Sequence, residues 1–375
     1  MNFMIVTDTF PPDINGVART LQTLARGLAG RGHAVHVVTT NEGAEWDSGP
    51  VSLKRVRSIS LPGYSEVTLG LISRGMMADE IREKKPDAMY VAVETPMGVS
   101  AIRAARKAGV GVVSGFHTNF HTYATDYQVP VLGQAMASYL RWVHNRTHRT
   151  LTPSQGMADA LRNMGIRNVG VMGRGVDGDL FRPTRRDAAL RAEWGAGEDT
   201  PVALFVSRIA AEKNLPLAVR TFQRLQQIRP DTKCVFVGDG PKLPGLKEEH
   251  PEFIYAGAKT GTDLGRHFAS ADVFVFPSLT ETFGNVVTEA LASGLVTVAF
   301  DYAAAKQCIR HGENGFVAPL RDEAAFLSSA ELALARWNDS ALRQAAFETG
   351  RALSWSAIIE QFERELLQAR DALLS

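Results

Sequence analysis

Residues 202–237 read VALFVSRIAAEKNLPLAVRTFQRLQQIRPDTKCVFV. Val202–Val206 is a short apolar run, the mark of a strand buried on both faces. Leu215–Gln227 carries apolar residues at helical spacing, and Lys233–Val237 is again a short apolar run. Strand, helix and strand in this order predict a parallel sheet.

The same rhythm runs outward in both directions. Phe253–Ala256, Val273–Phe276 and Val296–Phe300 continue the strands, and from about Glu323 the pattern is helical to the end. Before it, Phe3–Thr7 reads as a strand, and a loop of turn formers follows (Pro11, Pro12, Asp13, Asn15, Gly16). Val17, Leu21, Leu24 and Leu28 lie near helix spacing until Gly30 and Gly32 end the pattern. His33–Thr40, Ala88–Val93, Val110–Gly115 and Thr150–Thr152 read as further strands, and Gly173–Thr200 reads as a mixed crossing segment. The expected fold is α/β: two open parallel-sheet domains, residues 1–170 and 171–355, facing a cleft. A C-terminal helical tail, residues 356–375, is expected to pack back on the first domain. In such sheets ligands bind beyond the carboxyl ends of the strands.

Composition narrows the function. The chain has 375 residues, enough for two or three domains, with 45 % hydrophobic and 22 % charged residues. Its 41 Lys and Arg against 40 Asp and Glu give no general basic excess, which argues against nucleic acid as a partner. The balance is an average. Residues 1–172 hold 18 Lys and Arg against 13 Asp and Glu, and the remainder holds 23 against 27. A basic first half suits an anionic membrane surface, and equally an ordinary solvated face. Cys234 and Cys308 make no disulfide framework and fit a reducing compartment. With no basic leader and no apolar run of about 18 residues, the expected location is the cytoplasm. The sequons at Asn145 and Asn338 then read as chance matches.

Five stretches carry candidate chemistry. Ser207–Asn214 follows the strand Val202–Val206 and holds Arg208 and Lys213 five apart. Two cations ahead of a helix N-terminus suit a diphosphate leaving group. A solvated loop with a Glu212–Lys213 pair would carry the same residues. Glu281-Thr-Phe283-Gly284-Asn285 follows Pro277, and Glu289 falls one turn into the next helix on the Asn285 face. Gly284 permits close backbone approach, the helix start favours an anion, and Glu289 could take two ribose hydroxyls. A carboxylate in the apolar run Val286–Ala292 needs a partner. Gly238-Asp-Gly-Pro follows Lys233–Val237 and fits a turn beside a nucleotide or a plain strand-to-helix turn. Gly115–His121 puts His117 at a strand's carboxyl edge. His117 and His121 are four apart, yet no third ligand completes a metal site. His144 and His148 repeat the spacing and read as a helix surface. Gly173-Arg-Gly-Val-Asp-Gly178 matches G-x-G-x-x-G, but Pro183 forbids the long helix that a dinucleotide site needs.

Taken together, Gly16, the Ser207-Arg208-x-x-x-Glu212-Lys213-Asn214 loop and Glu281-x-Phe283-Gly284-x-x-x-x-Glu289 resemble the signature of retaining GT-B glycosyltransferases of family 4 over nearly the whole chain. Phe116–Tyr123 and Gly173–Asp177 are most similar to lipid-directed mannosyl- and sulfoquinovosyl-type members. The resemblance implies that Arg208 and Lys213 bind the donor diphosphate and that Glu289 holds the ribose. Glu281 and the Phe283–Asn285 amides would hold sugar and phosphate. Gly16 would let the first loop approach the phosphates, Gly238 would line the donor, and His117 would meet sugar and acceptor. Arg174 and Asp177 would line the cleft. It implies a nucleotide-sugar donor, a lipid or glycan acceptor, no cofactor and no divalent metal, and the basic first half adds the expectation of peripheral contact with the inner membrane. Two departures stand out. Asn15-Gly16 replaces a pair of glycines, and Asp301-Tyr302-Ala303-Ala304-Ala305 replaces a glycine-rich loop. A sugar-nucleotide epimerase and a non-catalytic sugar-nucleotide-binding protein are the alternatives. A glycan phosphorylase would need a pyridoxal lysine and a longer chain.

Overall fold

The computed structural model describes residues 1–13, 15–40, 47–61, 64–117 and 130–372. It divides into two compact units, residues 1–174 with 355–375, and residues 175–354.

The first unit holds a seven-stranded sheet ordered β3-β2-β1-β6-β7-β8-β9, every neighbouring pair parallel. The strands are β1 (Asn2–Val6), β2 (Ala34–Thr39), β3 (Val51–Arg55), β6 (Ala88–Val91), β7 (Gly111–Gly115), β8 (Arg149–Thr152) and β9 (Val169–Val171). A small antiparallel pair, β4 (Ser58–Leu61) and β5 (Tyr64–Gly70), stands apart from it. β1 alternates between two cores: Phe3 and Ile5 enter one, Met4 and Val6 the other. Burial on both faces is why these strands read as unbroken apolar runs. The last helix, Trp355–Asp371, buries Phe362, Leu366 and Ala369 in the first of those cores. Gly111 makes this fit, since a Cβ there would lie 2.2 Å from the Ala369 carbonyl oxygen.

The second unit is a six-stranded parallel sheet ordered β12-β11-β10-β13-β14-β15. Its strands are β10 (Val202–Val206), β11 (Lys233–Val237), β12 (Ile254–Gly257), β13 (Val273–Phe276), β14 (Val296–Phe300) and β15 (Phe316–Ala318). Along β10, Val202, Leu204 and Val206 face one core while Ala203 and Phe205 face the other.

Sequence reading missed β3, the β4–β5 pair and β15. β3 is an edge strand with alternating exposure, and β15 has three residues, so neither shows the doubly buried run that marks the interior strands. In both sheets the strand order reverses once, between β1 and β6 and between β10 and β13. A crevice opens at the carboxyl edge of such a switch point. There, in each unit, the polar side chains gather.

Candidate active site

In the second unit, β10 delivers the loop Ser207–Asn214. Ala211–Lys213 forms one 3₁₀ turn, Asn214 takes φ +54, and the helix Leu215–Ile228 starts with a proline in its first turn. Half-exposed Arg208 donates to Glu212 at 2.6 Å. Glu212 is therefore the partner of Arg208, and the adjacent Glu212–Lys213 pairing gives way to a longer one. The Lys213 Nζ donates to Glu281 Oε1 at 2.5 Å, both side chains largely buried. Ser278 Oγ donates to the same oxygen at 2.7 Å, and the Tyr302 hydroxyl donates to the Ser278 carbonyl at 3.0 Å. Burial, with the Glu281 charge second, raises the Tyr302 phenol, so it stays a neutral donor.

Gly284 caps the helix Asn285–Ala292 at φ +91, a conformation glycine adopts without strain. Phe283 is buried in the core, and its carbonyl accepts from the Ala304 amide at 2.7 Å. Asn285 is the first helical residue, and Glu289, buried one turn later, is 5 % exposed. Ala303 takes φ +50, so this chain places an alanine where backbone geometry favours glycine, at about 1–2 kcal/mol. Gly238 has φ +143, and a Cβ on it would lie 1.9 Å from the Ser207 carbonyl oxygen. Only glycine lets the β11 loop press against the loop carrying Arg208.

In the first unit, Gly16 begins the helix Gly16–Gly30, capped by the Asn15 side chain accepting from Ala18 N at 2.9 Å. That cap is a physical use for Asn15. His117 follows β7 and meets two buried partners. Its Nε2 lies 3.0 Å from the Tyr90 hydroxyl and its Nδ1 3.0 Å from Arg174 Nη2. Asp177 lies in the other unit. Its carboxylate accepts from the Asp179 and Leu180 amides, which makes it a turn cap. After β9 the chain forms no long helix before Pro183, where a short 3₁₀ turn starts.

One reading is corrected. His144 is buried, not a helix surface: Nδ1 lies 3.0 Å from Ser114 Oγ and Nε2 3.4 Å from Glu94. Its helix face turns toward β7, which helical spacing alone does not reveal. His121, with residues 118–129, lies outside the described residues. Among those described, no three His, Cys, Asp or Glu side chains converge as a metal site would require.

Sequence reasoning missed Tyr90, Ser278, Tyr302 and Asp8. Ser278 sits three residues before Glu281 in one loop, which was a usable signal. Asp8 carried none, because its partner Gly70 is 62 residues away. Asp8 is 7 % exposed beyond the end of β1, and its Oδ1 accepts from Gly70 N at 2.9 Å. Burial, then the charge of Glu94, outweighs hydrogen bonding from Thr95 and Gly70 and lifts its pKa from 3.8 to about 6. The folded value lies above the unfolded one. Its contribution to stability is therefore fully present below about pH 4 and lost as pH rises through 6. The charged form then costs about 3 kcal/mol. Asp8→Asn is expected to stabilise the protein by about 1–3 kcal/mol at pH 8 and by almost nothing at pH 4. Denaturant midpoints at the two pH values check this, and equal shifts at both would refute it.

Two doubly wound parallel sheets, each with a polar cluster at its switch point, make up a GT-B architecture. Sequence profiles give the particular family. That described as Glycosyltransferase Family 4 matches residues 14–180, and that described as Glycosyl transferases group 1 matches residues 200–336. A GDP-mannose-dependent alpha-mannosyltransferase of Corynebacterium glutamicum is 30 % identical over 96 % of this chain and 87 % of its own. The Mycolicibacterium smegmatis protein of the same name is 33 % identical over 86 % and 83 %. A sulfoquinovosyl transferase of Arabidopsis thaliana is 32 % identical over 76 % and 56 %. A solved glycosyltransferase from Rickettsia africae superposes with TM-score 0.79 at 17 % identity, covering 100 % of this chain and 98 % of its own, a likeness of fold. The chain belongs to glycosyltransferase family 4.

Proposed function

We propose that the protein is a retaining, metal-independent hexosyltransferase. It moves a hexosyl group from a UDP- or GDP-linked donor to a lipid or cell-envelope glycan hydroxyl. The observation that carries this is the cluster at the β10/β13 switch point: Lys213 and Ser278 meet on Glu281, which lies four residues before the helix Asn285–Ala292, and Arg208 lies in the Lys213 loop, paired with Glu212. Lys213, Arg208 and the helix amides neutralise the leaving diphosphate. Those groups do the work a divalent cation would otherwise do. Glu281 and the Phe283–Asn285 backbone hold the sugar and phosphate, Gly238 lets its loop close beside them, and Glu289 holds the ribose. In the first unit, His117 and Gly16 face the transferred sugar and donor phosphates. Arg174 acts behind His117, and Asp177 shapes the turn after it.

Glu281 Oε1 already accepts from both Lys213 and Ser278. That favours same-face attack by the acceptor over a covalent glycosyl-enzyme. A GDP-linked mannosyl donor has first claim, from the names of the relatives at 30–33 % identity. A lipid acceptor is favoured by the relatives named alpha-monoglucosyldiacylglycerol synthase. It also agrees with exposed Ile59, Leu71, Met76, Met136 and Tyr139 on the basic first unit, from which we propose peripheral contact with an anionic membrane. Among the described residues no helix is long and apolar enough to cross a membrane.

One assay tests the donor, the lipid acceptor and independence of metal, and the anomeric configuration of its product tests retention. The protein is incubated with radiolabelled UDP- and GDP-linked hexoses and anionic glycolipid vesicles in chelator. Label is expected in the sedimented lipid with one base preferred. Release of an epimer, or binding without transfer, would overturn the reading.

A further inference from the structure

The ring of His117 is held from both sides. An arginine has five N–H donors and no acceptor. Arg174 Nη2, 3.0 Å from His117 Nδ1, therefore donates, and Nδ1 presents its lone pair. A neutral imidazole carrying a lone pair on Nδ1 carries its proton on Nε2. That proton points at the Tyr90 oxygen, 3.0 Å away.

The holders are themselves fixed. Arg174 is 6 % exposed, and its Nη1 donates to the Met172 and Gly173 carbonyls at 3.2 Å each. Tyr90 is fully buried in β6, its ring edge-on to Phe362 at 4.8 Å. Room for the assembly is made by Gly115. A Cβ there would lie 2.0 Å from the Tyr90 hydroxyl and 2.5 Å from His117 Nε2. Tyr90 of β6 and His117 beyond β7 thus meet over one glycine, and Arg174 beyond β9 holds the other nitrogen of the ring.

We propose that Arg174 is a positioning residue that holds His117 as a neutral Nε2–H imidazole, with Tyr90 as its acceptor. His117 then serves glycosyl transfer as a fixed wall and not as a proton carrier. This rests on the reading that His117 faces the transferred sugar.

The electrostatic surroundings act in the same direction. Burial first, then the charge of Arg174 and then His144, keep the His117 pKa well below the ordinary histidine value. Tyr90 feels Arg174 and Glu94, and burial raises its phenol, so it remains a neutral hydroxyl. Protonating His117 would place an N–H against the Arg174 N–H and a second positive charge beside it. Both hydrogen-bond directions and charge oppose that step.

The test has one readout independent of turnover. Protein labelled with ¹⁵N-histidine is followed by long-range ¹H–¹⁵N correlation between pH 5 and 8. His117 is expected to show the Nε2–H tautomer throughout, without titrating. In Arg174→Gln the ring is expected to titrate at a higher pH than in the wild type, still below the ordinary histidine value because its burial remains, kcat to fall about 10-fold or more, and a new ionisation on the acid side to enter the kcat profile. Arg174→Lys, which keeps a cation and a donor, is expected to recover part of the loss and suppress the new ionisation. Tyr90→Phe removes one oxygen and keeps the fold available if Arg174→Gln does not fold. There His117 should stay neutral, because Nδ1 is still engaged. A wild-type His117 titrating at pH 6 or above overturns the tautomer lock. A locked ring with Arg174→Gln turnover within twofold overturns the role of Arg174 in the reaction. A wild type that transfers no sugar at all would instead count against the proposed function, and the tautomer would still be readable.

Discussion

Lys213→Ala is expected to cut turnover by about 10²-fold or more and to leave the protein folded. Breaking a glycosidic bond to a diphosphate moves negative charge onto the leaving oxygen. A cation held beside it is worth more in the transition state than in the bound donor, so the loss should fall mainly on kcat. Lys213 is suited to this because its Nζ is largely buried, already oriented by Glu281 and 5.9 Å from the Phe276 ring centroid. Arg208, half-exposed and paired with Glu212, is a weaker candidate for the same work. Removing Lys213 also leaves Glu281 without its cation, which destabilises by about 1–3 kcal/mol. The double variant Lys213→Ala with Glu281→Gln separates the two effects. It should regain stability, because no uncompensated charge remains, but not turnover. Steady-state kinetics with the preferred nucleotide sugar decides the matter, and near-normal kcat in Lys213→Ala would sink the assignment.

How far this site could be read without the structure depended on the kind of signal each residue leaves. β10, its following helix and β11 were legible because both faces of the strands are buried and every position along them is apolar. Glu281, Gly284 and Glu289 were legible because a glycine that must adopt positive φ sits between a strand end and an apolar helix. What spacing cannot supply is the partner. Lys213 has Glu212 beside it in the chain, yet it pairs with Glu281, 68 residues on, because the 3₁₀ turn aims it toward the β13 loop. Arg174 and His117 are 57 residues apart, and Asp8 and Gly70 62. The first two pairs meet because parallel strands bring their carboxyl ends to one edge, and Asp8 meets Gly70 because the β4–β5 pair ends against the loop after β1. His144 shows the same limit from the other side. Its spacing to His148 was visible, but which side of its helix packs on β7 is a tertiary fact.

The opposite edge of the second sheet carries the largest expected effect on stability. Asp272, immediately before β13, is fully buried and accepts from four donors. Arg186 Nη2 and Arg343 Nη1 reach Oδ1 at 2.8 and 3.0 Å, and Arg191 Nη1 and the Val202 amide reach Oδ2 at 3.0 and 2.9 Å. One carboxylate thus ties the segment after Pro183, the helix Ala188–Glu193 and the helix Ser340–Ala352 to the start of β10. Three guanidinium groups share a single buried counter-charge, and Arg191 is itself 4 % exposed. Removing the carboxylate leaves their mutual repulsion uncompensated in a poorly solvated place. Breaking a buried pair this way costs about 3–5 kcal/mol, and the stranded Val202 amide adds about 1–3 kcal/mol. Against a total of about 5–15 kcal/mol for a domain, that is a large share. Asp272→Ala is therefore expected to lower the melting temperature of this unit by about 10 °C or more. Salt should rescue little, because buried charges are poorly screened. Asp272→Asn keeps the shape and one acceptor oxygen but not the charge, and it should recover only a minor part of the loss. Replacing Arg191 alone by Met removes one of three cations, keeps the carboxylate paired with Arg186 and Arg343, and should cost less than Asp272→Ala. Calorimetric melting of the four proteins orders them, and a loss below about 1 kcal/mol in Asp272→Ala would show that the arginines find other partners at this edge.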